Sequence, residues 1–146
     1  MPFAPIFLPE RWFTPKDERK PRFLFIGGVV HTQRPTYMKI AVIGSRGIAR
    51  IDCAKIGARR GDTIISGGAR GVDSLAAAYA RANGLALVEH FPDYRHYGKA
   101  APHVRNGLIV ADADRVVAFW DGKSRGTKNT IDKAKRYGKR VDIVMC

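Results

Sequence analysis

The alternation of apolar and polar positions becomes regular at residue 38 and stays regular to the end of the chain. Short runs rich in β-branched and aliphatic residues predict strands that are buried on both faces. The predicted strands are Lys39–Ile43, Thr63–Ser66, Leu85–Phe91, Arg115–Trp120 and Val141–Met145. Helical spacing or alanine-rich composition predicts helices between them. The predicted helices are Ile48–Arg60, Ser74–Asn83, His103–Ala111 and Lys128–Tyr137, and Pro92–Pro102 is predicted to be a polar, aromatic loop.

The order of these elements predicts the sheet. Because strand and helix alternate, the strands are joined by crossovers, run parallel and are covered by helices on both faces. Ligands of such sheets bind at the carboxyl ends of the strands, near the point where the strand order reverses. We therefore expect an α/β domain over residues 38–146 with its binding site at that edge.

Residues 1–37 differ in character from the rest and hold six of the eight prolines. An apolar run, Phe23–Val30, is interrupted by two glycines, and an additional edge strand is one interpretation of it. We expect instead a loosely attached N-terminal extension. Met38 directly precedes the first clear strand, so a biological start at Met38, with the upstream residues added by a misplaced start, remains the alternative.

A glycine-rich turn joins the second strand to the next helix: Ser66-Gly67-Gly68-Ala69-Arg70-Gly71. Such a turn directs unpaired backbone N–H groups and the positive end of the helix dipole to one point, which suits a phosphate or carboxylate. The guanidinium of Arg70 adds a fork of donors that fits a phosphate. A tight turn that needs glycine only for its geometry is the alternative.

Two further loops of this character follow strands. Gly44, Ser45 and Arg46 follow the first strand, and Ser124-Arg125-Gly126-Thr127 follows the fourth. Since all three loops come after parallel strands, we expect them to meet in one cleft at the same edge of the sheet.

Composition excludes several classes of protein. The chain has 146 residues and two cysteines, Cys53 and Cys146, which form no CxxC or Cys/His pattern and are expected to be reduced thiols in the cytoplasm. No apolar run approaches the roughly 20 residues that span a bilayer, and no signal peptide is recognisable. His90, His96 and His103 are irregularly spaced, so we expect no metal site. The sequence contains no GxGxxG motif.

The net charge is +13, and the positive charge is concentrated near the C-terminus. Eight lysines and arginines and a single acid, Asp132, lie between Lys123 and Arg140. Such a segment attracts polyanions, including nucleic acid, and Tyr94, Tyr97 and Trp120 would add stacking surfaces. A solvated basic face is the alternative.

Four pieces of sequence carry a family resemblance: Gly44-Ser45-Arg46, the turn from Ser66 to Asp73, the pair Arg105-Asn106, and the segment from Trp120 to Thr127. Together they resemble the SLOG superfamily, which is named after the DNA-processing protein DprA (Smf) and the LOG cytokinin-activating phosphoribohydrolases. Its small stand-alone YspA-like branch is the most similar in pattern. The resemblance covers Met38–Cys146 and leaves residues 1–37 without a counterpart.

The resemblance implies a Rossmann-like three-layer sandwich with a mainly parallel five-stranded sheet. It also implies binding of a nucleotide-derived small molecule, with no other cofactor required, and a homo-oligomer. Phosphate would be bound by the Gly67–Gly71 turn and by Ser124, Gly126 and Thr127, while Arg105 and Asn106 would contact sugar or base. The full predicted ligand-binding set is Gly44, Ser45, Arg46, Ser66, Gly67, Gly68, Arg70, Gly71, Arg105, Asn106, Ser124, Arg125, Gly126 and Thr127.

One departure from the family pattern bears on catalysis. LOG hydrolases carry a glutamate three residues after the threonine of the Gly-Thr pair, and Thr130 occupies that position here. Asp73 and Asp121 are the candidate catalytic acids that remain near the cleft, with a structural role at a helix start as the alternative for each.

Three functions are compatible with these residues. The first is a sensor or binding module for a nucleotide derivative, similar to ADP-ribose or NAD, or for a nucleoside monophosphate. The second is an N-glycosidase or phosphoribohydrolase that acts on nucleoside monophosphates. The third is DprA-like binding of single-stranded nucleic acid through the basic segment Lys123–Arg140.

Overall fold

The structure of the protein is a computed structural model that describes residues 37–146 and the backbone of two strands before them. The chain divides into two compact units, Met1–Tyr37 and Met38–Cys146. In the first unit, β1 (Arg22–Ile26) and β2 (Val29–Gln33) pair antiparallel. The apolar run Phe23–Val30 therefore contributes to a two-stranded ribbon and not to an edge of the larger sheet. The predicted loose attachment of residues 1–37 falls mainly on residues outside the described ones.

The second unit contains a five-stranded, all-parallel sheet. Its strands are β3 (Lys39–Gly44), β4 (Thr63–Ser66), β5 (Ala86–Glu89), β6 (Arg115–Trp120) and β7 (Arg140–Met145). They are arranged in the order β5-β4-β3-β6-β7. Strand β3, the first of the unit, thus lies at the centre of the sheet, with β4 and β5 on one side and β6 and β7 on the other. The predicted α/β fold with a parallel five-stranded sheet is confirmed.

Helices cover both faces of this sheet. They are α1 (Val72–Ala82), α2 (Tyr94–Tyr97), α3 (Ala101–Asp112) and α4 (Arg125–Arg136). On one face, α1 packs through Val72 and Ala76 on a cluster that includes Phe119. On the other, α3 and α4 pack through Ile109 and Ile131. Successive strand residues alternate between the two clusters, which is why these strands are apolar at nearly every position.

The prediction of a helix over Ile48–Arg60 is wrong. The segment is irregular apart from a single 3₁₀ turn, Cys53–Lys55, whose start is capped by the Asp52 carboxylate. Gly57 has a φ of 61°, and a left-handed residue ends any helix. Ile56 is fully buried, so the isoleucine spacing that suggested a helix comes from an irregular segment packed on the sheet.

Two other boundaries differ from the predictions. Helix α4 begins at Arg125, three residues before the predicted Lys128, because Ser124 caps it. Most of the predicted loop Pro92–Pro102 is helical: it contains α2, a 3₁₀ turn over Gly98–Ala100 and the start of α3. Pro102 lies in the first turn of α3, where the missing N–H has no helical partner to lose.

Candidate functional site

A cavity of about 470 Å³ lies at the carboxyl edge of the sheet, beside the junction of β3 and β6 where the strand order reverses. Residues that follow β3, β4 and β6 contribute to its walls, together with α3 and the first turns of α4. The lining residues are Ile43, Gly44, Ser45, Arg46, Ala69, Asp73, Pro102, Arg105, Asn106, Ile109, Asp121, Ser124, Gly126, Thr127 and Thr130. We call this the first cavity.

A second cavity of about 330 Å³ shares three lining residues with the first: Arg46, Ala69 and Arg105. Its remaining walls come from the glycine-rich turn after β4 and from the segment that follows β5. They are Gly67, Gly68, Arg70, Pro92 and Tyr94. The single cleft expected from the sequence is therefore divided into two adjoining cavities with a common wall of arginine side chains.

Three residues of the predicted ligand-binding set line neither cavity. The Ser66 hydroxyl is buried and donates to the backbone oxygen of Asp73, at 3.2 Å. Gly71 has a φ of 75°, and a Cβ there would collide with the backbone of Arg46. Arg125 is exposed at the first position of α4. Ser66 and Gly71 thus serve the packing of the glycine-rich turn and do not line a cavity.

Close packing within the protein explains the pair Gly67-Gly68. A Cβ on Gly67 would lie 2.7 Å from a guanidinium nitrogen of Arg105 and 2.8 Å from a carboxylate oxygen of Asp73. A Cβ on Gly68 would collide with the ring of Phe91, and its φ of 68° is unfavourable for other residues. Packing within the protein, together with the backbone conformation at Gly68, thus favours glycine at both positions even without a ligand.

Arg105 and Asp73 are two buried, ionisable side chains in the first cavity. The Arg105 guanidinium donates to the backbone oxygen of Gly67 at 2.5 Å and to Asn106 Oδ1 at 3.0 Å. The Asp73 carboxylate accepts from the backbone N–H of Ala69 at 3.1 Å. Burial raises the pKa of Asp73 and lowers that of Arg105, and the attraction between their opposite charges partly offsets both changes.

Asp121 has a different environment at the mouth of the same cavity. Its carboxylate accepts from the backbone N–H groups of Lys123 and Ser124, both at 2.8 Å, and these hydrogen bonds lower its pKa. The backbone N–H of Asp121 in turn donates to the buried Ser45 hydroxyl at 3.3 Å. Asp121 therefore shapes the turn between β6 and α4 as a carboxylate.

The position of the LOG glutamate is occupied by a side chain with an internal partner. Thr130 is buried, and its hydroxyl donates to the backbone oxygen of Gly126 at 3.0 Å. One turn earlier, the Thr127 hydroxyl and backbone N–H both donate to Ser124 Oγ. The first turn of α4 thus presents hydroxyls and backbone to the cavity, and no carboxylate.

Sequence reasoning missed the apolar part of these walls. Ile43, Pro102 and Ile109 line the first cavity and Pro92 the second. Ordinary core residues carry no chemical signal, so only the packing identifies them. Tyr94, which the sequence suggested as a stacking surface, lines the second cavity.

Some cations of the basic segment Lys123–Arg140 make contacts within the protein. Lys133 Nζ donates to the backbone oxygen of His103, at 2.7 Å, and Lys128 forms an ion pair with Asp132 at 2.8 Å. Arg125, Lys135 and Arg136 are exposed on α4. None of the helices within residues 37–146 is both long and apolar enough to cross a membrane.

The fold and the two cavities define a Rossmann-like α/β domain with its candidate site at the strand-order reversal. The family described as YAcAr, the YspA, cpYpsA-related SLOG family, matches residues 38–97. Gene 61 protein of Mycobacterium phage D29 is 34% identical over 84 residues, which are 53% of this chain and 67% of that protein. The chain belongs to this SLOG family.

A solved structure shows the same fold. DNA processing protein A from Helicobacter pylori, described for its single-stranded DNA binding mode, is 24% identical with a TM-score of 0.55. The match covers 73% of this chain and 64% of that one. The chain thus spans less than two thirds of that protein.

Proposed function

We propose that this protein binds a nucleotide or nucleotide derivative, with the ligand's phosphate in the first cavity, and acts as a binding or sensing module. The observation that carries the proposal is the convergence of Arg46, Arg105 and the first turn of α4 on one cavity at the strand-order reversal. Membership of the SLOG family supports a nucleotide-type ligand.

An anion in the first cavity would meet two arginines and the start of α4, beside the carboxyl groups of Asp73 and Asp121. Arg46 is exposed at its rim, and Arg105 is held in its wall by the hydrogen bond to Gly67. The first N–H groups of a helix have no helical acceptor, and the helix dipole adds positive potential there. Apart from its chain neighbours and the backbone of its own helix, no atom lies within 4 Å of a Cβ built on Gly126, so the approach to this helix start is clear.

A thermal-shift screen tests the proposal. The panel contains nucleoside mono- and diphosphates, ADP-ribose, NAD and a short single-stranded oligonucleotide. A ligand that binds only the folded state at 100 times its Kd adds about 2.7 kcal/mol to the free energy of unfolding, so the melting temperature should rise with ligand concentration. If none of the small nucleotides raises it, the proposal is wrong.

Two glycine variants localise the site. Gly126→Val places two methyl groups in the first cavity and should abolish the shift. Gly107→Val is the matched control, because Gly107 also lies in a helix with no atom near its Cβ position but lines neither cavity. Loss of the shift in both variants, or in neither, would contradict a phosphate site at the start of α4.

Binding of single-stranded nucleic acid is the second candidate function. The likeness to DNA processing protein A and the exposed cations Lys135 and Arg136 favour it. Oligonucleotide affinity should then fall steeply with salt, and Lys135→Glu should lower the salt slope by about 0.7 for the lost phosphate contact. Arg81→Glu, an equal charge change on α1 at the opposite face of the sheet, should leave the slope unchanged.

A hydrolytic function would depend on Asp73. Burial raises the pKa of its carboxyl group, as a general acid requires, and the group faces the first cavity. The same nucleotide panel should then release free base, and Asp73→Asn should stop the release. A ligand that binds and is recovered intact favours the binding module.

A further inference from the structure

The phosphate site proposed above leaves the second cavity without an occupant. This cavity is connected to the first through the shared wall of Arg46, Ala69 and Arg105. Its outer side carries Tyr94 and Pro92, and Arg70 reaches it from the glycine-rich turn. It therefore combines one aromatic face with cationic groups.

The backbone of the short helix α2 fixes the position of Tyr94. The Asp93 carboxylate accepts from the backbone N–H of His96 at 3.0 Å. The backbone oxygen of Asp93 accepts from the backbone N–H of Tyr97, also at 3.0 Å. Gly98, with a φ of 52°, ends the turn. Tyr94 is 58% exposed, so the hydrophobic core does not account for its aromatic ring.

Tyr94 lies beside the arginine wall, because it lines the same cavity as Arg46 and Arg105. The Arg105 guanidinium is held there by its hydrogen bond to the backbone oxygen of Gly67. The Phe91 ring packs against Gly68 in the glycine-rich turn. The cavity is thus lined by the glycine-rich turn on one side and by a tyrosine on another.

We propose that the second cavity binds the base of the nucleotide, stacked on Tyr94, while the phosphate lies in the first cavity beyond Arg46 and Arg105. This inference rests on the proposed function and specifies how the ligand is oriented. A planar ring gains from one aromatic face and from guanidinium groups that stack on its own π system. A volume of about 330 Å³ accommodates a purine or a pyrimidine.

Calorimetric titration with two kinds of probe tests the orientation. The four ribonucleoside 5′-monophosphates carry a base, and ribose 5-phosphate lacks one but keeps the sugar and phosphate. The tightest of the four should bind the parent protein more strongly than ribose 5-phosphate does. Tyr94→Ala should weaken that nucleotide by about tenfold, the effect of a lost base–aromatic stack, and leave ribose 5-phosphate unchanged.

Two control variants identify stacking as the cause. Tyr94→Phe keeps the ring and should retain the affinity for the nucleotide. Tyr97→Ala removes a ring from the same helix that lines neither cavity, and should have no effect. Melting temperatures without ligand verify that all three variants fold.

The outcomes separate the two proposals. Equal loss of nucleotide and ribose 5-phosphate in Tyr94→Ala, or no loss of either, would overturn the base subsite while phosphate binding stands. If neither these five probes nor the other small nucleotides of the thermal-shift panel bind the parent protein, the proposed function is wrong, and the base subsite with it.

Discussion

At the scale of single residues, the candidate site separates two aspartates by environment. Asp73 is buried and its pKa is raised above the ordinary 3.8, whereas exposed Asp121 accepts two backbone N–H groups and its pKa is lowered below 3.8. Unfolding returns both groups to ordinary values, so their contributions to stability must change with pH in opposite directions.

The direction in which stability changes with pH depends on the state, folded or unfolded, in which the carboxyl group binds its proton more tightly. Asp73 stabilises the fold most below about pH 3.8 and loses that contribution as the pH rises through its raised pKa, because the buried group must then ionise. Relative to the parent, Asp73→Asn should therefore become more stable as the pH increases. The free energy of unfolding in urea between about pH 3 and pH 7 provides the measurement.

Asp121→Asn serves as the counterpart under the same conditions. The Asp121 carboxylate stabilises the fold above about pH 3.8 and loses that contribution as the pH falls through its lowered pKa. Relative to the parent, this variant should become less stable as the pH increases. Parallel slopes for the two variants would show that burial does not distinguish the two carboxyl groups.

At the scale of elements, the start of α4 couples stability to the site. Ser124 Oγ accepts from the backbone N–H of Thr127 at 3.3 Å, which caps the helix. Ser124→Ala should lower the free energy of unfolding by about 1 kcal/mol through loss of this cap. Ser124→Asp keeps a capping oxygen, so it should preserve stability but weaken binding of an anionic nucleotide by repulsion. If Ser124→Asp binds the nucleotide as tightly as the parent, phosphate does not lie at this helix start.

The strands, helices and loops also differ in how far they could be predicted from the sequence. The strands and the edge that carries the site follow from local pattern, because strands buried on both faces are apolar at nearly every position and loops after parallel strands share one edge. The segment Ile48–Arg60 was not predictable in this way, since Gly57 adopts a left-handed conformation while Ile56 packs on the sheet. Nor could local pattern reveal that Phe91 fills the space beside Gly68, which depends on a contact between separate loops.

At the scale of the whole molecule, every described residue of the proposed site lies in the unit Met38–Cys146. Both hydrophobic clusters and both cavities lie within it. Its first residue is anchored internally, because the Met38 backbone N–H donates to the buried Asp62 carboxylate at 2.8 Å. A chain that began at Met38 would carry a charged amino group at this position, which still donates to Asp62.

We therefore expect residues 38–146 to fold alone and to bind the same nucleotide with the affinity of the full chain. A single cooperative transition in urea, seen alike by circular dichroism and tryptophan fluorescence from Trp120, would show an independent domain. Titration of the fragment with the tightest nucleoside monophosphate provides the second measurement. A fragment that folds cooperatively but no longer binds the nucleotide would contradict this expectation. One without a cooperative transition would show that the domain boundary expected at residue 38 is wrong.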